Sequence, residues 1–529
     1  MVYTIEHMTS TLSVRGYLGI DNGTQGISVI VTDESSLCVL ATGHAVLDMV
    51  PGLPEGCYEQ WTQDWDKALK DAMQQIHTQI PHLEILAIGI AGQMHGEVLV
   101  DRHGHSLGPV RLWCDARNEQ EGVELTTLFG TKVPKRSTIS RFLWTIRNRP
   151  DLARITRHIT TPAGWISYRL TGEWTLGIGD ASGMFPIDQA SLDYDECMVQ
   201  IFDERFMNDN NNKVCAAASV KTLLPKVRKA GEDAGVLNEA GATLLGLPQG
   251  IPVAAAEGDQ PAALAGSLIG DAGMVSMSFG TSVVSNSVGD RAFSGVSNAV
   301  DHFCAPDGKP INMVWLRNGT TFLNTVVETF ADAIGHNDDR SAGFESVMPK
   351  LVKAPPDCGG LFALPFMDDE PGMNVKQGGT AMICGWNPDN ATAGNVAKAA
   401  LLSTIFNLKL GSSVLEQQGY PRTEIILSGG LTKTPECGQI VADVFDTPVT
   451  LLDSAEDGCA WGAALMARFR YERYNGSNVL WADFLKSVLV KGHRRFLPDK
   501  EAVREYEGVY LRYKKLIAVQ PMLNEALSK

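Results

Sequence analysis

The stretch that decides the fold class is residues 246–282, GLPQGIPVAAAEGDQPAALAGSLIGDAGMVSMSFGTS. Its apolar run Ile251–Ala256 predicts a buried strand, and a tight turn follows at Glu257-Gly258-Asp259. A helix is expected to begin at Pro261, because proline suits the first helical position. This order places the Asp259 carboxylate at the carboxyl end of a strand, where open α/β sheets hold their ligands.

A second strand and a Gly-Thr turn complete this stretch. Met274–Phe279 is expected to form a strand that leads into Gly280-Thr281-Ser282. Such a turn can present backbone N–H groups and a hydroxyl to phosphate oxygens. Tyr17–Asp33 repeats the element, with a strand, the turn Asn22–Gly26 and a β-branched return strand. The repetition predicts two domains of one architecture, each of which gives a phosphate-facing hairpin to a shared cleft.

Two carboxylates in these elements suit phosphoryl transfer. A sugar hydroxyl is a poor nucleophile, and Asp259 can accept its proton as it attacks a terminal phosphoryl group. The alternative for Asp259 is a helix cap. Asp21 stands in a similar turn of the first hairpin, where a carboxylate can hold Mg²⁺ on the phosphates. The alternative for Asp21 is a turn-forming residue.

The composition indicates a globular protein of more than one domain. The chain of 529 residues is too long for one hydrophobic core. Its net charge of −16, with no basic block to offset it, disfavours nucleic-acid binding. No apolar run approaches the ~20 residues that cross a bilayer, and the amino terminus lacks the pattern of a secretory signal. The ten cysteines are scattered without a Cys-x-x-Cys pair, which predicts reduced thiols and a cytoplasmic location.

Other kinds of site have less support in the sequence. The chain contains no GxxxxGK[ST] stretch, so a P-loop is excluded as the nucleotide site, and no GxGxxG stretch, so a dinucleotide fold has no support. His95, His103 and His105 crowd one turn without a matching set of cysteine or carboxylate ligands, which disfavours a metal cluster there. Gly177–Gly183 (GIGDASG) is expected to be a loop.

An ordered set of motifs resembles the FGGY family of carbohydrate kinases, and within it most closely the kinases of xylulose. Each motif alone is weak, whereas the set in family order is specific and covers nearly the whole chain. The motifs are GIDNGT (residues 19–24), GQMHG (92–96), WCDAR (113–117), GLP (246–248), GDQ (258–260), SFGTS (278–282), LPF (364–366) and Gly429-Gly430.

The resemblance implies an actin-like, ribonuclease H-like fold of two α/β domains with a catalytic cleft between them. Residues 1–15 would be an amino-terminal extension, residues 16–270 the sugar-binding domain, and residues 271–529 the ATP-binding domain with a C-terminal helical tail. The resemblance also implies ATP and Mg²⁺ as cofactors, a small-molecule sugar as substrate, and a homodimer. No membrane or nucleic-acid partner is expected.

The roles of the family's residues carry over to the matching positions. Asp259 would be the catalytic base, and Asp21 and Asp259 would hold Mg²⁺. The residues that would bind ATP are Gly23, Thr24, Gly280, Thr281, Gly429, Gly430 and Lys433. The residues that would line the sugar pocket are Gln93, Met94, His95, Asp115 and Gln260.

The Gln-Met-His triplet at residues 93–95 is typical of kinases for ketoses. The resemblance therefore implies D-xylulose as first choice, converted to xylulose 5-phosphate. Sedoheptulose, ribulose, erythritol and glycerol remain open within the same mechanism, and a non-catalytic actin-like, sugar-responsive protein is the rival class. Departures from the family pattern concern the sugar and adenosine pockets more than the reaction. They are Gln25, Gln260 in place of Asn, Arg141 in place of Lys, Leu431 in place of a third Gly, and Asp368-Asp369-Glu370-Pro371, which lacks an Arg.

Overall fold

The computed structural model divides the chain into two compact units. It describes residues 13–527 except 210–211, 214–216, 334, 336–339, 453–457 and 489–492. Unit 1 comprises Met1–Leu268, Phe303–Gly308 and Asp457–Leu489, and unit 2 comprises Ile269–His302, Lys309–Glu456 and Val490–Lys529. The first twelve residues of the expected amino-terminal extension lie outside the described residues, and Val14 already begins the first strand.

Unit 1 is built on a five-stranded sheet in the order β5-β4-β1-β2-β3. In chain order its strands are β1 (Val14–Asn22), β2 (Gly26–Asp33), β3 (Val39–Val46), β4 (Leu83–Gly92) and β5 (Glu257–Gly258). β1 pairs antiparallel with β2 across the Gly-Thr turn and parallel with β4. The first predicted hairpin is therefore confirmed.

Two glycines let a helix lie directly on this sheet. A Cβ at Gly19 of β1 would stand 2.0 Å from the Ala460 carbonyl oxygen, and one at Gly89 of β4 would stand 1.8 Å from that of Ala463. Both carbonyls belong to the helix Gly458–Tyr474, whose small residues permit this approach. The contact explains why this late segment of the chain belongs to unit 1 rather than to unit 2.

Unit 2 contains a seven-stranded sheet in the order β8-β9-β7-β6-β10-β11-β12. Its strands are β6 (Met274–Phe279), β7 (Val283–Val288), β8 (Val300–Cys304), β9 (Pro310–Leu316), β10 (Glu424–Gly429), β11 (Val449–Leu452) and β12 (His493–Phe496). β6 pairs antiparallel with β7 and parallel with β10. Each unit also has its own cluster of buried apolar side chains. The predicted α/β class and the two domains are confirmed.

Helices complete both units. In unit 1 the main helices are Thr62–Gln79, Glu119–Phe129, Thr138–Asn148, Pro150–Ile155, Pro162–Thr171, Ile178–Met184, Glu196–Phe202, Glu239–Leu245, Asp259–Gly266, Gly458–Tyr474 and Trp481–Ser487. In unit 2 they are Thr321–Ala333, Arg340–Lys353, Ala393–Gly411, Ser413–Gln417, Cys437–Phe445, Lys500–Ile517 and Gln520–Leu527. The last two form the expected C-terminal helical tail.

The predicted strand Ile251–Ala256 is wrong in its bounds. Regular pairing begins only at Glu257, and Val253 makes an isolated bridge to Ile88. Pro252 lacks an N–H group and cannot continue a ladder. The helix also begins at Asp259 rather than at Pro261, because a proline is tolerated anywhere in a first turn whose N–H groups have no helical acceptor.

The loop predicted at Gly177–Gly183 is also wrong. Ile178–Met184 forms a short helix instead. The Glu257 carboxylate accepts hydrogen bonds from the backbone N–H groups of Gly179 and Asp180, at 3.2 and 2.8 Å, and so satisfies the first turn of that helix. The acceptor for the start of this helix therefore lies far away in the sequence, so the local pattern of residues 177–183 did not predict a helix.

Candidate functional site

The strand register of unit 1 brings three predicted segments to one edge of the sheet. Asn22 of β1 and Gly258 of β5 both lie level with Gly92 of the central strand β4. All three strands are parallel, so the residues that follow them emerge together. Those residues are Gly23-Thr24, Gln93-Met94-His95 and Asp259-Gln260.

Asp259 has the properties of a general base at this edge. It is the first residue of its helix and accepts a 2.7 Å hydrogen bond from the backbone N–H of Gln260. Burial raises the pKa of Asp259 to about 6, against the opposing effects of that hydrogen bond and of the positive charge of Arg136. A carboxylate that titrates near neutral pH suits proton transfer. Arg136 is a contributor that the sequence did not reveal.

A second acid, Asp180, lies close enough to Asp259 for their charges to interact. Asp180 is fully buried, and its Oδ2 accepts a 2.5 Å hydrogen bond from the Thr161 hydroxyl. Burial raises the pKa of Asp180 to about 8; the Thr161 bond opposes this rise and the charge of Asp259 adds to it. Burial likewise raises the pKa of Glu257 well above its ordinary value. Asp180 is therefore a neutral acid at neutral pH, and neither Asp180 nor Glu257 was found from the sequence.

Met94 and His95 are held tightly against neighbouring glycines. A Cβ at Gly258 would stand 2.2 Å from Cγ of Met94, and one at Gly183 would stand 2.6 Å from the His95 ring. His95 has φ +67°, a left-handed conformation that is unusual outside glycine, and its Nδ1 donates to the Gly183 carbonyl at 3.0 Å. Strained backbone of this kind clusters at ligand sites.

Gln93 belongs to a hydrogen-bond network with Thr24. The Thr24 hydroxyl donates to the Gln93 side-chain oxygen at 3.1 Å and accepts from the Trp113 indole N–H at 3.0 Å. The Gln93 amide group donates to the Gln60 side-chain oxygen at 3.1 Å, and Gln60 donates to the Thr24 carbonyl at 2.8 Å. Gln93 is buried, whereas Trp113 is 44% exposed. Trp113 is thus an additional candidate to face a ligand.

Asp115 is fully buried and bonded to protein donors through both oxygens. It accepts from Arg117 and from the backbone N–H of Tyr58, the latter at 3.0 Å. Burial favours a higher pKa, but these bonds outweigh it and hold the pKa of Asp115 below its usual value. The geometry shows an ionised residue that organises its neighbours, and its direct contact with a sugar stays a prediction.

The predicted nucleotide segments of unit 2 also meet at one sheet edge. Phe279 of β6 lies level with Gly429 of β10, so Gly280-Thr281 and Gly430 emerge side by side. A further Gly-Thr pair, Gly319-Thr320, follows β9 and donates from its backbone N–H groups to the carbonyls of Thr281 and Gly280, at 2.9 and 2.8 Å. This pair was not found from the sequence, because its role depends on pairing with a distant turn.

Gly429 and Gly430 leave backbone exposed at this edge. Gly429 has φ +83°, and a Cβ there would stand 2.5 Å from the Phe279 carbonyl oxygen. Leu431, the departure from a third glycine, is only 4% exposed and packs in the core of unit 2, so its side chain does not cover the glycines. Lys433 ends the same 3₁₀ turn and is exposed.

Asp21 and Asp259 fit a Mg²⁺ ion shared with substrate phosphates. Burial raises the pKa of the Cys459 thiol, and the negative charges of Asp21 and Asp259 raise it further, so both carboxylates lie close to this one side chain. In the part of the chain that the structure describes, no group of three or more His, Cys, Asp or Glu residues could hold a metal. Mg²⁺ usually binds through one or two carboxylates together with phosphates and water, and Asp21 and Asp259 offer two carboxylates.

The family is shown by comparison with known proteins. Residues 16–266 match the N-terminal domain of the FGGY family of carbohydrate kinases, and residues 275–471 match its C-terminal domain. The chain therefore belongs to the FGGY family of carbohydrate kinases and is a sugar kinase with an actin-like, two-domain fold. No helix among the described residues combines the length and the apolarity needed to cross a membrane.

Individual relatives agree with this placement. The chain is 27% identical to the xylulose kinase of Haemophilus influenzae, over 94% of this chain and 98% of that protein. Its fold matches xylulose kinase from Rhodospirillum rubrum with a TM-score of 0.80 at 20% identity, over 96% of this chain and 100% of that one. It also matches gluconate kinase from Lactobacillus acidophilus with a TM-score of 0.78 at 16% identity, over 97% and 100% of the two chains.

Proposed function

We propose that this kinase transfers the γ-phosphoryl group of ATP to a terminal hydroxyl of a ketose, with D-xylulose, giving xylulose 5-phosphate, as the substrate. The observation that carries the proposal is Asp259, a carboxylate with a pKa of about 6 that emerges beside Gln93-Met94-His95. The ketose rests on that triplet and on the name of the Haemophilus influenzae relative. Support for phosphoryl transfer is thus broader than support for the particular sugar.

In this mechanism unit 1 binds and activates the sugar. His95 and Gln260, which are partly exposed, contact the sugar hydroxyls together with Met94, while Gln93 and Asp115 hold the pocket in shape. Asp259 accepts the proton of the attacking hydroxyl. Its pKa matters here, because a base that ionises near neutral pH is both available and strong enough to assist. Asp180 stays neutral and does not add a second charge beside it.

Unit 2 binds the nucleotide. Gly280 and Thr281, and Gly23 and Thr24 of the first hairpin, face the phosphates; Gly429, Gly430 and Lys433 flank the adenosine. Backbone N–H groups in such turns stabilise phosphate charge without side chains that would demand space. Asp21, with Asp259, would hold Mg²⁺, which neutralises charge on the transferring phosphates when bound.

Other substrates use the same machinery. Sedoheptulose, ribulose, erythritol and glycerol each offer a terminal hydroxyl to Asp259, and Gln260 is the neighbour that departs from the xylulose pattern. The rival of a non-catalytic sugar-responsive protein loses support, because the base is present and both kinase domains match the family.

A coupled assay of ADP release across a panel of ketoses and polyols tests the proposal. We expect D-xylulose to give the highest kcat/KM, and Asp259→Ala to lower it by about 10³-fold. Asp195→Ala is the matched control, because Asp195 also stands at the start of a helix of unit 1, where it accepts from the Met198 N–H at 3.0 Å. If no sugar stimulates ADP release, or if the Asp259→Ala protein keeps its activity, the proposal is wrong.

The cellular setting is part of the proposal. Every cysteine among the described residues is a free thiol, which supports a reducing cytoplasmic location. A homodimer rests on the family resemblance, and light scattering of the purified chain tests it.

A further inference from the structure

Arg141 is a buried cation beside the segments of the predicted sugar site. It lies on the helix Thr138–Asn148 and is fully buried. Within the described part of the chain no carboxylate comes within ion-pair distance of its guanidinium group, although Asp115 and Glu97 act on it electrostatically. Buried charges are normally paired, so an unpaired one implies that its hydrogen bonds serve another purpose.

Those hydrogen bonds all go to backbone carbonyls. Nη1 donates to the carbonyl of His95 at 3.2 Å and to that of Arg136. Nη2 donates to the carbonyl of Trp113 at 2.8 Å and to that of Asp115 at 3.4 Å. One planar group therefore joins the segment Gln93–His95 to the segment Trp113–Asp115 and to the chain just before its own helix.

The segments that it joins carry most of the predicted sugar pocket. Gln93, Met94 and His95 stand on the first segment and Asp115 on the second. His95 is also the residue with φ +67°, and its carbonyl is one of the acceptors. A left-handed backbone outside glycine persists only where surrounding contacts hold it, and the guanidinium supplies such a contact.

We propose that Arg141 is the positioning residue of the sugar site, which fixes the spacing of Gln93–His95 relative to Trp113–Asp115 and thereby sets sugar affinity and choice. This inference rests on the proposed function and deepens it. Lysine, which the family pattern has at this position, donates from one point and would reach only one of the two segments well in this chain, so we expect it to hold their spacing less firmly than Arg141 does.

The experiment compares Arg141→Lys and Arg141→Gln with the wild type in the same ADP-release assay, on protein whose melting curve shows a cooperative fold. We expect the KM for D-xylulose to rise about tenfold in Arg141→Lys and further in Arg141→Gln, while the KM for ATP changes by less than about twofold. We also expect the ratio of kcat/KM between D-xylulose and the second-best ketose to narrow. A residue that only supports the fold would leave this ratio unchanged.

Arg470→Lys is the matched control. Arg470 is also a buried arginine of unit 1, but it donates to the Gly231 carbonyl and pairs with Asp233, and it is not bonded to the sugar segments. Its replacement should leave both KM values unchanged. The inference is overturned if Arg141→Lys keeps the wild-type KM and sugar ratio, or if neither Arg141 variant folds, since Arg141 would then serve the fold. A wild type that phosphorylates no sugar would instead overturn the proposed function itself.

Discussion

The two Gly-Thr hairpins have the same local pattern and are held in different ways. In unit 1 the Thr24 hydroxyl bonds the side chains of Gln93 and Trp113. In unit 2 the carbonyls of the turn at Gly280-Thr281 accept from the backbone N–H groups of Gly319 and Thr320 and from the hydroxyls of Thr320 and Thr321, whereas the Thr281 side chain itself is exposed. Side chains discriminate among ligands, whereas backbone N–H groups bind any phosphate. Under the proposed function both turns face phosphates, and the first is also bonded to Gln93 of the predicted sugar pocket.

We expect the largest effect from a side chain at Gly319, which would displace the turn Gly280-Thr281, here called the backbone cradle. A Cβ there would stand 2.4 Å from the Gly280 carbonyl oxygen and 2.6 Å from that of Thr281. We expect Gly319→Ala to push the turn away and to lower kcat/KM for ATP by about 10²-fold, as misplacement by about 1 Å does elsewhere. Steady-state kinetics at saturating sugar measures this effect.

Gly508→Ala is the control for that substitution. Gly508 lies in the helix Lys500–Ile517 of the same unit, and no atom stands within 4 Å of where its Cβ would be. Its replacement should leave the kinetics unchanged and raise the free energy of unfolding by about 0.5–1 kcal/mol, because alanine favours helix over glycine. Equal kinetic losses in both variants would show that the cradle does not depend on Gly319.

The pH dependence of kcat/KM tests the acidic side chains of unit 1. Burial raises the pKa of Asp259 to about 6, so the base is protonated below that pH and kcat/KM for the sugar should fall up to tenfold per pH unit there. The pKa of Asp180 is raised to about 8, and its ionisation above that pH places a second negative charge near Asp259. Activity of the wild type should therefore also decline above pH 8.

Asp180→Asn tests whether ionisation of Asp180 causes the decline in activity above pH 8. Asparagine cannot ionise, so the decline in activity above pH 8 should disappear while the fall in activity near pH 6 remains.

The stability of Asp180→Asn gives an independent measurement. An acid whose pKa is raised on folding stabilises the protein at low pH, and that stability is lost as the pH rises through about 8. The melting temperature of Asp180→Asn should thus rise relative to that of the wild type from pH 4 to pH 8. A difference in melting temperature that stays constant over this range would contradict the raised pKa of Asp180.

Local patterns in the sequence predicted the hairpins well and the supporting residues poorly. Both Gly-Thr turns follow short apolar strands that are recognisable within a few residues, so the bounds of the turns were nearly right. The same reasoning missed Gly319, whose role depends on a turn in another part of the sequence, and Asp180, whose glycine-rich helix is stabilised by Glu257 far along the chain. The strand bounds at Ile251–Ala256 failed because Pro252 interrupts pairing that hydrophobicity alone predicts.

The smallest expected effects come from the two threonines, and they test the comparison most directly. Thr24→Val removes the hydrogen bond to Gln93 and the acceptor for Trp113. Gln93 lines the predicted sugar pocket and Thr24 faces the phosphates, so a net loss of about 1 kcal/mol should raise the KM for the sugar and the KM for ATP about fivefold each. Thr281→Val leaves the turn's backbone bonds in place, so the KM for ATP should change by less than about threefold and the KM for the sugar not at all. Measuring both KM values for both variants checks this. If Thr281→Val instead costs more in ATP binding than Thr24→Val costs in sugar binding, the second hairpin binds phosphate through its hydroxyl, and the distinction between a side-chain pocket and a backbone cradle is wrong.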